Sequence, residues 1–221
     1  MISKKSQLAI LLSKLAVFEN PKPELEQYPL DGNSAATILW AAFQNKDIEN
    51  KIIADLGCGT GILGLGALLL GAKKVYFIDK SEAAIKKAKQ NLHFLEQEIS
   101  QHLQDKATWL IGDIALFKNK VHTVLQNPPF GTKTEHADKI FLEKALELGK
   151  SIYSIHKTST LDYLRHIIDM RKRQIKGSGS ADAQVQRKII SEIKIEMQLK
   201  KTMPWHKKNI ERIDTTCLVI K

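Results

Sequence analysis

From residue 51 onward, short runs of β-branched and aromatic residues alternate with longer stretches whose apolar positions recur at helical spacing. The short runs fall at 51–55, 74–79, 108–111, 121–126 and 151–156. They are nearly continuous in hydrophobicity, as expected of parallel strands covered on both faces. Between them, 62–70 predicts an apolar helix closed by Gly71, and Ser81 caps a helix with Ile85, Ala88, Leu92 and Leu95 on one face. A further helix is expected at 136–148, with Gly149 as its stop. Near the end, Ile193, Ile195, Met197 and Leu199 alternate with polar residues, and 213–220 reads as a second strand. That pair predicts an antiparallel hairpin on the sheet edge, joined by a loop at 202–209. Upstream, 34–43 reads as a helix, and Leu8, Leu11, Leu15 and Phe18 predict an amphipathic helix over 7–18.

A chain of 221 residues is long enough for one well-cored domain and short for two. The expected organisation is a single domain over 1–221: a helical extension at 1–48, a core at 49–160, and at 161–221 a basic helix, a loop near 177–186 and the hairpin. No apolar run reaches the roughly 18 residues of a membrane span. The 7–18 segment is interrupted by Lys14 and is followed by no small-residue cleavage site, so it does not read as a signal peptide. These features point to a cytoplasmic protein. Cys58 and Cys217 form neither a disulfide framework nor a zinc pattern, and no metal site is expected.

The formal charge of +10 is concentrated late in the chain. Between Arg165 and Lys208 there are twelve Lys or Arg and four Asp or Glu, a net +8 in 44 residues. Such a stretch is either a solvated surface or the footprint of a polyanion.

Asp55-x-Gly57-x-Gly59-x-Gly61 follows the first strand and opens the next helix, so the backbone turns tightly and approaches a ligand at a helix N-terminus. Asp79, at the end of the second strand, stands where an acid binds ribose hydroxyls. Gly59-x-Gly61-x-x-Gly64 also fits the dinucleotide pattern, but with Gly57 as the first loop glycine the run resembles the S-adenosylmethionine loop of class I methyltransferases. That resemblance implies a Rossmann-like α/β fold, a mostly parallel seven-stranded sheet with helices on both faces and the C-terminal antiparallel hairpin. It also makes Asp113, after the third strand, an acceptor for the cofactor's adenine amino group.

Asn127-Pro128-Pro129-Phe130 begins 72 residues after Asp55 and ends the fourth strand. Two prolines fix φ and remove two N–H donors, leaving the Asn127 and Pro128 carbonyls outside any regular helix. An in-plane amino group offers two N–H donors, which the Asn127 side-chain oxygen and the Pro128 carbonyl can accept together. Phe130 then offers a stacking face. The bland reading is a rigid turn with a buried aromatic. Tyr28 either walls the cofactor or base or simply packs; Trp205, His206, Lys207 and Lys208 either clamp RNA or pack in the hairpin loop; His156 reads as a structural histidine. Lys133 and the Arg171-Lys172-Arg173 run complete the candidate RNA contacts.

Four stretches now point to one family: 18–29, with Gln27-Tyr28-Pro29; Ala54-Asp-Leu-Gly-Cys-Gly; Asn127-Pro-Pro-Phe-Gly-Thr-Lys133; and Tyr153-Ser-Ile-His156-Lys157-Thr-Ser-Thr160. They closely resemble methyltransferase-like protein 5 and its archaeal relatives, adenine-N6 methyltransferases of small-subunit ribosomal RNA, from about Leu15 to Thr160. The resemblance implies that Gln27, Gly57, Thr60, Ile62, Asp79, Asp113 and Ile114 contact S-adenosylmethionine, and Tyr28, Asp55, Gly59 and Gly61 complete the candidate cofactor site. Asn127, Pro128, Pro129 and Phe130 would hold the adenine. It also implies a small zinc-binding activator protein docked along the sheet edge. Leu30 replaces the family's usual Thr, which puts one polar cofactor contact in question, and 177–186 has the composition of an inserted linker. Related Asn-Pro-Pro motifs serve guanine N2, DNA adenine and protein glutamine, and a non-catalytic RNA-binding or ribosome-assembly protein would keep the fold.

Overall fold

In the computed structural model, the described residues are 2–18, 29–130, 137–178, 187–200 and 210–221, with side chains not described at 171–178, 198–200 and 210–211. The chain runs α1 (Lys5–Ser13), α2 (Gly32–Gln44), β1 (Ile52–Leu56), α3 (Ile62–Leu69), β2 (Lys74–Asp79), α4 (Glu82–Ile99), β3 (Ala107–Ile111), β4 (Val121–Gln126), α5 (Ala137–Leu148), β5 (Gly149–Lys157), α6 (Leu161–Ser178), β6 (Ile189–Lys200) and β7 (Ile210–Ile220). Seven strands form one sheet in the order β3-β2-β1-β4-β5-β7-β6. β1 to β5 are parallel, and β7 runs antiparallel to both β5 and β6.

Alternating strand residues supply the two faces of the sheet. Ile53, Leu125, Tyr153 and Ile155 pack on one side with residues of α1 to α4, whereas Ala54, Leu56, Val124 and Ile152 pack on the other with α5 and α6. Strands buried on both faces carry apolar residues at consecutive positions, which is why the sequence shows runs there. Strand order reverses between β1 and β4, so the loops leaving their carboxyl ends diverge and open a crevice. The glycine loop leaves one of these ends and Asn127 the other.

Most elements lie close to their expected bounds, and five differ. α1 stops at Ser13, so Leu15 and Phe18 lie beyond the helix. β5 starts at Gly149, so the glycine expected to stop the helix is already the first residue of the strand. α6 continues through Ser178, so the first two residues of the expected loop at 177–186 are helical; 179–186 lie outside the described residues. β6 and β7 are longer than the alternating pattern suggests, and their connection at 202–209 is also outside the described residues.

At the amino ends of the strands, Asp47 joins the loop after α2 to the sheet. Its carboxylate accepts from Ser151 Oγ (2.9 Å) and Tyr153 Oη (2.7 Å), and its backbone carbonyl accepts from Thr123 Oγ1 (2.5 Å). Lys221 Nζ lies 3.0 Å from the same carboxylate, and Asn45 donates to Tyr153 Oη at 2.9 Å. Burial, with the Asp47 carboxylate adjacent, pushes the Tyr153 phenol well above its ordinary range.

Candidate functional site

β1 ends beside α3, and the turn between them is built on positive φ at Gly57 (63°), Gly59 (55°) and Gly61 (88°). At Gly57 a side chain is excluded twice over: the backbone is left-handed, and a Cβ there would lie 2.8 Å from the Phe141 ring of α5. Asp55 anchors the turn from below. Its Oδ2 accepts the Gly64 N–H at 2.8 Å, supplying a partner to the first turn of a helix whose own cap, Gly61, has no side chain. Asp55 is only 1% exposed. Burial raises its pKa from the ordinary carboxylate value to about 7, the Gly64 hydrogen bond opposes this, and the nearby Asp79 adds to it.

Asp79, at the end of β2, holds the same turn from the other side. Its Oδ2 accepts from Gly59 N and its Oδ1 from Ser81 N, both at 2.8 Å. Each oxygen thus uses one backbone donor and retains a lone pair for a further one. Burial shifts this carboxyl upward as well. Asp113 is exposed and caps the short 3-10 turn Ile114–Leu116 through an Oδ1 bond from Ala115 N at 2.8 Å.

One pocket collects these groups. Asp55, Gly57, Gly59, Thr60, Ile62, Asp79, Asp113 and Ile114 line it, and Asn127 and Pro129 close the side belonging to β4. Gly61, Pro128 and Phe130 are not among its lining residues. Phe130 is 6% exposed and packs in the core, with Lys157 Nζ 5.7 Å from its ring centroid. Sequence reasoning did not assign Phe18, Pro29, Lys80 or Phe141 to the pocket, yet all four line it. Phe18 and Pro29 are the described residues on either side of 19–28. Gln27 and Tyr28 themselves lie outside the described residues, as do Lys133, Trp205, His206, Lys207 and Lys208. Arg171, Lys172 and Arg173 are on α6, where their side chains are not described.

Behind Asn127 lies a buried polar chain. Gln126 Nε2 donates to Ser154 Oγ at 2.7 Å, and Ser154 Oγ is 2.6 Å from His156 Nε2. All three residues are 0–1% exposed. Burial lowers the His156 pKa to about 3, so the imidazole is neutral throughout the physiological range. Among the described residues no group of three or more His, Cys, Asp or Glu is arranged to hold a metal ion, and no helix is long and apolar enough to cross a membrane.

The donors and acceptors of the pocket fit a nucleoside-type ligand: a glycine turn that a Cβ would fill, a half-buried acid at the end of β2 and another acid after β3. Known proteins agree with this geometry. The family profile described as "Methyltransferase small domain" matches residues 30–150. The chain is 40% identical over 165 residues to the uncharacterized protein MJ0284 of Methanocaldococcus jannaschii, covering 73% of this chain and 74% of that one. It is 36% identical, again over 165 residues, to the rRNA N(6)-adenosine-methyltransferase METTL5 of Danio rerio, covering 73% and 78%. Among solved structures, a putative RNA methyltransferase, PH1948 of Pyrococcus horikoshii, superposes with a TM-score of 0.84 at 34% identity, covering all of this chain and 98% of that one. Sequence, fold and pocket therefore agree that the chain belongs to the small-domain methyltransferase family.

Proposed function

We propose that the protein is an S-adenosylmethionine-dependent methyltransferase that modifies the N6 amino group of an adenine in ribosomal RNA, and that its substrate is the small-subunit RNA. The observation that carries this reading is that Asn127, opening Asn-Pro-Pro-Phe, and the Asp55–Gly61 turn border the same pocket. In this reading the whole chain acts as one catalytic domain.

Asp79 holds the cofactor's ribose, Asp113 and the backbone beside Ile114 its adenine, and the glycine turn admits its methionine portion. When bound, S-adenosylmethionine supplies an electrophilic methyl group on a sulfonium. The adenine amino group is a poor nucleophile because its lone pair is delocalised into the ring. Asn127 Oδ1 and the Pro128 carbonyl accept its two N–H bonds, favouring a pyramidal nitrogen whose lone pair points at the methyl. No general base is needed before transfer, because the methylated nitrogen becomes acidic and its proton leaves to water. A duplex would bury the reacting nitrogen, so the target is single-stranded or flipped out. Phe130 stacks on the base only if its ring leaves the core position it holds in this structure, and the basic α6 and hairpin segments hold phosphate. Exposed Leu110 and Ile111 at the β3 edge, with Leu116 nearby, supply apolar surface for a small zinc-binding activator protein.

The test is incubation with S-adenosylmethionine and small ribosomal subunits, or their RNA, from cells lacking the modification, followed by nuclease digestion and mass spectrometry. N6-methyladenine at one site, absent with Asn127→Ala, is the expected result. Product on guanine, DNA or protein, or none despite cofactor binding and added activator, would overturn the substrate.

A further inference from the structure

Asn91 lies in the middle of α4 and is 2% exposed. Its side chain makes three hydrogen bonds, each at 2.9 Å: Nδ2 donates to the backbone carbonyls of Ala16 and Thr60, and Oδ1 accepts the Ala16 N–H. The carboxamide thus pairs with both backbone groups of one residue in the N-terminal segment and with one carbonyl of the glycine turn. A helix interior disfavours Asn, and apolar packing would fill this place equally well, so three satisfied bonds to irregular backbone are its distinguishing feature.

Both partners belong to walls of the pocket. Thr60 lines it directly, and two residues after Ala16 the Phe18 ring lines it too. That ring rests on the turn: a Cβ placed on Gly59 would be 3.4 Å from Phe18 Cζ. The same helix starts at Ser81, whose backbone N–H is held by Asp79. α4 therefore connects three pocket walls, the acid at its start and the turn and N-terminal segment at its middle.

We propose that Asn91 is a positioning residue that sets affinity for the cofactor, by locking Phe18 and Thr60 into one pocket wall. It rests on the reading of this pocket as the S-adenosylmethionine site. Asn91 does not touch the base side, so its removal acts on cofactor binding and leaves the transfer step alone.

The experiment is calorimetric titration of the full-length protein with S-adenosylmethionine and S-adenosylhomocysteine, alongside methyl-transfer kinetics and thermal melts, for Asn91→Ala, Asn91→Asp, Phe18→Ala and the double variant Phe18→Ala/Asn91→Ala. Asn91→Asp keeps the volume and the acceptor toward Ala16 N–H but drops both donors, and substitutes for Asn91→Ala should the latter not fold. Leu95→Val, a core change on the same helix, reports the effect of destabilisation by itself. The expected results are a Kd and a KM for the cofactor raised about tenfold by Asn91→Ala, with kcat at saturating cofactor within about twofold of wild type. Phe18→Ala should add little once Asn91 is gone, because the two act through one wall. Leu95→Val should leave Kd unchanged. Wild-type affinity in Asn91→Ala, additive losses in the double variant, or an equal loss in Leu95→Val would each overturn the assignment. A wild-type protein that binds neither compound would instead remove the cofactor reading on which it rests.

Discussion

The two ends of the sheet use buried carboxylates in opposite ways. At the amino ends, Asp47 is bound by Ser151 and Tyr153 on strand β5 and by Lys221, the residue after β7. It is an internal tie. At the carboxyl ends, Asp55 receives one backbone N–H group and Asp79 two, and both line an open pocket. Burial makes both carboxylates costly to ionise and raises their pKa values, and at Asp55 the nearby Asp79 adds to the effect. The comparison teaches that one end of the sheet completes its hydrogen bonds internally, while the other keeps acceptor capacity for a ligand.

Substitutions at the two ends should therefore separate activity from stability. The largest effect is expected for Asn127→Ala, a fall in methyl transfer of at least about a hundredfold with cofactor affinity retained, read by isotope incorporation and calorimetry. Asp47→Ala should do the reverse, destabilising the fold by about 3 kcal/mol because it strands several buried partners, while kcat measured below the melting transition stays near wild type. If Asp47→Ala abolished transfer in a folded protein, the division between the two ends would fail. Asp79→Asn should weaken cofactor binding about tenfold, as expected for loss of a charge-assisted hydrogen bond, and change melting temperature less than Asp47→Ala does.

The smallest effect concerns pH. Because the Asp55 pKa is raised to about 7, the folded chain holds a proton there at pH 5–6 that the unfolded chain has lost. The stability this group contributes is complete below about pH 4 and declines as pH rises through 7. Asp55→Asn keeps an acceptor for Gly64 N–H and removes the titration. Chemical denaturation at pH 5, 6, 7 and 8 should show a shallower decline in the variant; an unchanged slope would mean that another group carries it.

What the sequence discloses about the site depends on how local the signal is. The glycine turn is legible because three positive φ values in five residues require a particular residue type, and Asn-Pro-Pro-Phe is legible because two prolines restrict their own backbone. Residues that meet only through the fold leave no such trace. Phe141 reaches Gly57 from α5, and the Asn91 bond to Ala16 spans 75 residues. The same bond explains the early end of α1. In a continued helix the Ala16 N–H would turn back to the carbonyl of Leu12, but it is taken by Asn91, so the apolar spacing of Leu8, Leu11, Leu15 and Phe18 persists after helical geometry has ended. Apolar spacing reports burial, and burial alone does not say which backbone conformation delivers it.

No residue separates α5 from β5: Leu148 ends one and Gly149 begins the other. A Cβ on Gly149 would lie 2.8 Å from Val124 of β4, so the junction admits neither a side chain nor a spacer. Eight residues before Gly149, on α5, Phe141 closes against Gly57. For a lineage of such proteins this is a constraint on variation itself: insertions and drift are tolerated in loops and tails, but helix α5 must keep its length and its glycine contacts together. Gly149 is tied to Val124 and Phe141 to Gly57, and because the left-handed backbone bars other residues at 57, Gly149→Ala is the change that should be recovered in a suppressor screen, through a smaller residue at position 124.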